Sequence, residues 1–126
     1  MVFGTFDWLH PGHLSLIEQA RNTGEVIVIV ARDLNVERIK GRVPDQNEEV
    51  RVNAIRIAVP DVTVILGDQK DFLTPIRTHR PDLILLGYDQ RLPPGVEERD
   101  FGCSIERAKP HEPERYKSSK MRQKPK

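Results

Sequence analysis

With one cysteine in 126 residues, the chain has no internal disulfide and no cysteine-rich zinc site. No stretch approaches the roughly 18 consecutive apolar residues of a membrane-spanning helix. The N-terminus lacks the basic region and apolar stretch of a secretory leader, so none is expected and a reducing cytoplasm is the default compartment. Aromatic residues are only 6% of the chain, and no aromatic-studded stretch of the kind an RNA-binding platform carries is visible. Neither the Walker A pattern nor Gly-x-Gly-x-x-Gly occurs, which sets aside the ordinary P-loop and the dinucleotide fingerprint. An excess of one charge is also missing, since 20 Lys+Arg face 19 Asp+Glu. What remains is a length that suits one domain (1–126) with its own core.

The balanced charge hides an asymmetry. From Arg107 to Lys126 there are 8 basic and 2 acidic residues, whereas residues 1–106 hold 12 basic and 17 acidic. A basic tail (107–126) on an acidic body points to an anionic partner. Nucleic acid, a phosphate-bearing ligand and plain solubility all satisfy that pattern.

Apolar runs alternate with helical patterns. Val2, Phe3 and Thr5 open a short extended segment. The β-branched run 25–31, then 62–66 and 82–87, read as strands covered on both faces, and 102–105 reads as a weaker one. Helical spacing marks 12–21 through Leu14, Ile17 and Ala20, with Gly24 as its C-terminal cap. It marks 48–58 through Val50, Ala54, Ile57 and Ala58, and 71–79 through Phe72 and Ile76, with Pro81 as the stop. The alternation predicts an α/β, Rossmann-like domain: a parallel sheet with helices on both faces. Pro93-Pro94-Gly95 and Pro110 to Pro113 break the pattern.

The segment from Gly4 to His13 lies where a first strand turns into a first helix, the place where open parallel sheets bind ligands. Pro11 and Gly12 suit the first helical positions, and Gly12 allows close approach to the backbone. Free N–H groups and the positive dipole end favour a phosphate there, and His10 and His13, three apart, can both face it.

Gly4-Thr-Phe-Asp-x-x-His10-x-Gly-His13 resembles the signature of the cytidylyltransferase-like nucleotidyltransferases. That family includes glycerol-3-phosphate cytidylyltransferase, phosphopantetheine adenylyltransferase and the archaeal-type FAD synthase. The resemblance implies in-line attack of an acceptor phosphate on the α-phosphorus of a nucleoside triphosphate, with pyrophosphate as leaving group. It implies that His10 and His13 donate hydrogen bonds to the phosphates. It places a catalytic, phosphate-contacting lysine at Lys40, within Arg38-Ile-Lys40-Gly-Arg42, with Arg42 as a second contact; the alternative is a solvated basic loop. It sets Thr5, Phe6 and Gly12 beside the nucleotide, although Phe6 and Trp8 also read as packing residues. Asp7 would orient the loop or contact the acceptor side; the alternative is a turn-stabilising side chain. Arg51 would reach acceptor or phosphate; the alternative is a surface charge paired with Glu48.

Leu86-Gly87-Tyr88-Asp89-Gln90 ends a strand, where Gly87 would admit base or ribose and Asp89 would take a hydroxyl or amine. Gly-Tyr-Asp-Gln looks most like the archaeal-type FAD synthases. Tyr116-Lys-Ser118-Ser119-Lys120-Met-Arg122 resembles the family's second signature, with Ser118, Ser119, Lys120 and Arg122 on the outer phosphates. The resemblance implies Mg²⁺ or another divalent ion with the triphosphate, no protein metal ligands, and a homodimer. The expected reaction is ATP and FMN to FAD and pyrophosphate. The alternatives are a cytidylyltransferase using CTP and glycerol 3-phosphate, and a non-catalytic nucleotide- or RNA-binding module. Relatives differ in carrying a longer first strand and a helix where Pro93-Pro94 stands.

Overall fold

The computed structural model describes residues 1–111. Strand β1 (Val2–Gly4) leads to helix α1 (Pro11–Arg21), strand β2 (Ile27–Val30), helices α2 (Asp33–Lys40) and α3 (Glu48–Ala58) and strand β3 (Thr63–Leu66). Helix α4 (Thr74–His79), strand β4 (Leu83–Leu86), a 3-10 turn over Glu98–Asp100 and strand β5 (Ser104–Arg107) follow. No helix among these residues is long and apolar enough to cross a membrane.

β2 pairs in parallel with β1 on one side and β3 on the other, and β4 pairs in parallel with β5. Met1 joins the two sheets: its amino group donates to the Leu83 carbonyl (2.9 Å), and its carbonyl accepts from the Leu85 N–H (3.0 Å). The strands therefore run β3-β2-β1-β4-β5, and the order reverses between β1 and β4. That reversal leaves a crevice beyond the strands' C-terminal ends.

Alternate strand residues face opposite sides of the sheet. Val2, Val28, Val30, Val64 and Leu85 pack with Ile17 and Ala20 of α1 and with Val52 and Ile55 of α3. Phe3, Ile29, Ile84 and Leu86 pack on the other side with Ile76 of α4 and with Phe101. Both faces are covered, which is why the strands read as unbroken apolar runs.

Several local readings change. The stretch after β2, expected as a basic loop, is helix α2, closed by Gly41 in a left-handed conformation (φ 82°). Only Val36 of α2 is buried, so its apolar period is faint. Its first turn is fixed from outside. The Asp33 N–H donates to Glu48 Oε1 (2.8 Å), and the Glu48 N–H donates to Asp33 Oδ2 (3.1 Å), clasping the starts of α2 and α3.

Helix α3 has the expected bounds but the opposite inner face. It buries Arg51, Val52 and Ile55, while Ile57 is 81% exposed and Val50 also faces out. A buried arginine in the inner stripe is what disguised it. α1 ends on Asn22 rather than Gly24, α4 begins three residues later than its pattern suggested, and β5 lies two residues beyond the predicted run.

Candidate active site

Between β1 and α1 the chain passes through Phe6 and Trp8, both left-handed (φ 56° and 54°). That conformation costs a residue with a side chain about 1–2 kcal/mol. Packing and hydrogen bonds hold it. The Phe6 ring is 2% exposed, belongs to the core on the α1 side, and meets the His13 ring edge-on at 5.3 Å between centroids. Phe6 thus supports the site from below, with its ring packed in the core, and the residue also lines the cavity described below. Gly4 makes room for that ring, since a Cβ there would come within 2.8 Å of it. Gly4→Ala is expected to lower the free energy of unfolding by about 1–3 kcal/mol, the usual range for overpacking, seen as an earlier urea midpoint.

The exposed side of the loop is strapped to the segment before α3. Asp7 accepts from the N–H groups of Asp45 (2.8 Å) and Gln46 (2.9 Å). The Trp8 N–H donates to Gln46 Oε1 (3.0 Å), and its indole donates to Asp45 Oδ2 (3.1 Å). Among the readings of Asp7, orienting the loop matches these contacts.

His10 caps α1. Its Nδ1 accepts from the N–H groups of Gly12 (3.1 Å) and His13 (3.4 Å), and His13 Nδ1 accepts from the His10 N–H (3.3 Å). The two rings stack at 3.6 Å between centroids with 21° between planes. This is a capping box built from two imidazoles, with Pro11 at the position whose N–H needs no partner. Gly12 serves the histidine: a Cβ would lie 3.0 Å from the His10 ring. The expectation of free helix N–H groups is therefore corrected, because those of Gly12 and His13 are given to His10. An imidazole whose Nδ1 accepts must carry its proton on Nε2. The pair thus offers two Nε2–H donors to the cavity that both residues line.

Burial first, and the neighbouring His10 second, pull the His13 pKa down from 6.5 to about 4, against a small opposite pull from Asp7. His13 is therefore neutral at neutral pH. Between those values the unfolded chain binds the proton and the folded chain does not, so stability is full above about pH 6.5 and falls as pH drops towards about 4. Urea midpoints at about pH 7.5 and about pH 5 should show that fall, and His13→Gln should reduce it.

Arg51 is placed differently from its sequence reading. It is 0% exposed, and its guanidinium is committed to protein oxygens. Nε donates to the Gln46 carbonyl (3.0 Å), Nη1 to the Thr5 carbonyl (2.7 Å) and Nη2 to Asp33 Oδ1 (2.6 Å). It is neither a surface charge nor a side chain turned to a phosphate; it ties the β1–α1 loop to α2 and α3.

Lys40, at the end of α2, is exposed, and its Nζ donates to Thr5 Oγ1 at 3.2 Å. After β4, the Gln90 N–H returns to the Gly87 carbonyl (3.1 Å), so Tyr88 and Asp89 form the exposed tip of a turn. Arg107 Nη1 holds that turn from β5 through the carbonyls of Gly87 (2.9 Å) and Gln90 (2.8 Å).

One cavity of about 1390 Å³ brings together Thr5, His10, Gly12, His13, Lys40, Gly87 and Asp89. Ile39, Val43, Pro44 and Leu92 add apolar lining. Ser118, Ser119, Lys120 and Arg122 lie outside the described residues. Gln90 stood in the sequence only as the last residue of Gly-Tyr-Asp-Gln, with no role attached, and Gln19 carried no signal. The Gln19 carboxamide grips the Lys109 backbone from α1, donating to its carbonyl (3.0 Å) and accepting from its N–H (2.8 Å). Among the described residues, no group of three or more His, Cys, Asp or Glu is arranged to hold a metal ion.

The cytidylyltransferase-like family matches residues 1–124. The chain is 41% identical over 123 residues to the FAD synthase of Archaeoglobus profundus, covering 92% of this chain and 77% of that one. It is 46% identical over 92 residues to the FAD synthase of Methanothrix thermoacetophila, covering 71% and 62%. The FAD synthase of Aciduliprofundum boonei is 42% identical over 92 residues, and the match spans 61% of its length. Among solved structures, the lipopolysaccharide core biosynthesis protein of Thermoplasma volcanium GSS1 superposes with a TM-score of 0.78 at 29% identity, covering 89% of this chain and 96% of that one.

Proposed function

The chain belongs to the cytidylyltransferase-like family, and from that premise we propose that it transfers AMP from ATP to FMN, releasing pyrophosphate and FAD. The observation that carries the reaction class is the imidazole pair: two neutral rings, each with its proton on Nε2, at the edge of a cavity that also holds Lys40 and Thr5. Relatives named FAD synthase support the acceptor. So does the apolar lining from Ile39, Val43, Pro44 and Leu92, which suits a broad ring system and has no counterpart in glycerol phosphate.

The acceptor supplies its own nucleophile, so the chain needs none. An FMN phosphate oxygen forms a bond to the α-phosphorus of ATP, the bond from that phosphorus to the bridging oxygen breaks, and pyrophosphate leaves with the electron pair. The protein's contribution is position and charge. His10 and His13 donate from Nε2 to phosphate oxygens as charge moves onto them. Lys40 supplies the positive charge that the neutral rings lack, and Thr5, bonded to it, holds its ammonium beside the loop. A divalent ion such as Mg²⁺, bound with the ATP, would offset charge on its phosphates. In this reading Gly87 and Asp89 take the nucleoside, and Ser118, Ser119, Lys120 and Arg122 take the outer phosphates.

The test is incubation with Mg²⁺, ATP or CTP, and FMN, glycerol 3-phosphate or phosphopantetheine, with pyrophosphate release and product masses read together. FAD formed only from ATP and FMN is the expected result. CDP-glycerol from CTP and glycerol 3-phosphate would replace the acceptor and keep the reaction class. Silence on every pair, with RNA binding that falls steeply with salt, would instead indicate a binding module.

A further inference from the structure

β1 and β4 meet at the reversal of strand order, and their pairing stops early. The Leu85 N–H donates to the Met1 carbonyl. Two residues further along each strand, a ladder in the same register would have the Gly87 N–H donate to the Phe3 carbonyl. A side chain stands there instead. The Gly87 N–H donates to Gln90 Oε1 (2.8 Å), and Gln90 Nε2 donates to the Phe3 carbonyl (3.1 Å). The carboxamide has the donor and acceptor of the peptide groups it separates, so it continues the ladder while holding the strands apart by its own width.

We propose that Gln90 is a positioning residue of the nucleotide site, a spacer inserted between β1 and β4 that sets the distance between the phosphate-binding and nucleoside-binding ends of the cleft. The inference rests on the proposed function for what occupies those ends. Beyond Phe3 on one side come Gly4, Thr5 and the loop to the imidazole pair. Beyond Gly87 on the other come Tyr88 and Asp89. Gln90 is bonded to both sides, and Arg107 fixes the outer side of the turn through the Gly87 and Gln90 carbonyls. Little freedom is left for the turn to slide against β1.

A spacer has a binding signature that ordinary destabilisation lacks. A ligand that engages both ends gains from their being held at one separation, whereas a ligand engaging one end does not. The experiment compares the wild type with Gln90→Leu, which keeps the size of the side chain and removes both bonds. Binding of ATP, adenosine and pyrophosphate is measured separately, each with Mg²⁺, by calorimetry or NMR titration. ATP is expected to bind at least about tenfold more weakly in the variant, with adenosine and pyrophosphate each within about twofold of wild type. Exchange of the Gly87 amide should be faster in the variant. If Gln90→Leu does not fold, Gln90→Met replaces it: it keeps the length of the side chain, loses both bonds without adding charge, and is expected to show the same pattern.

Equal weakening of all three ligands, or ATP affinity unchanged in a folded variant, overturns the proposal. Wild-type protein that binds ATP but makes no FAD removes FMN from the proposed function and leaves this comparison intact. Wild-type protein that binds no ATP removes both.

Discussion

Arg51→Ala is expected to lower the free energy of unfolding by about 3–5 kcal/mol, the scale seen when one partner of a buried ion pair is removed. Total stabilities are about 5–15 kcal/mol, so this variant stands near the edge of folding. The magnitude follows from what is left behind. The carbonyls of Thr5 and Gln46 lose a donor inside the protein, and Asp33 loses its cation while still clasped to Glu48. Arg51→Lys keeps the charge but cannot point three ways at once, and about 1–3 kcal/mol should go with the lost bonds. Urea unfolding measures both. If Arg51 were a phosphate contact, Arg51→Lys would unfold like the wild type and bind ATP more weakly. The geometry predicts that stability is lost first.

The second large effect is on turnover. His10→Asn is expected to lower kcat by about 10²–10³-fold, as for loss of one transition-state donor, with little change in melting temperature. Asparagine is among the best N-caps, so its amide oxygen can accept the N–H groups that His10 Nδ1 now accepts. What it cannot replace is an Nε2–H on the cavity side. His10→Ala loses both and should also cost about 1 kcal/mol of stability. Thermal melts beside steady-state rates separate the roles; near-normal turnover in a folded His10→Asn would remove His10 from the chemistry.

The sheet was readable because each strand is buried on both faces, so Ile27–Val30 and Leu83–Leu86 are apolar without interruption. The first loop was readable because its glycines, proline and histidines have few other uses in that order. Harder to read were features decided by distant partners. Helix α2 depends on the clasp between Asp33 and Glu48, which periodicity cannot report. The inner face of α3 includes an arginine whose partners come from two loops and another helix, so its apolar stripe, taken alone, pointed outward. The role of His10 Nδ1 follows from capping geometry, whereas spacing showed only that the two rings could share a face. Gln90 closes a recognisable motif, but its role has no sequence signal until the early end of the β1–β4 pairing gives its amide a place.

Among the described residues Met1 carries the backbone pairing between the two sheets, and its partner Leu83 is 82 residues away in the chain. Gln90 reaches Phe3 across 87 residues, and Gln19 reaches Lys109 across 90. Contacts this distant in sequence close late and slow the folding of a domain. At synthesis rates of about 5–20 residues per second, β4 leaves the ribosome on the order of 4–16 s after β1. For that time the strand destined for the middle of the sheet has an open edge, a template for pairing with other chains. The edge of β1 that β4 and Gln90 close in the finished protein is the one most open to mispairing while the chain is being made.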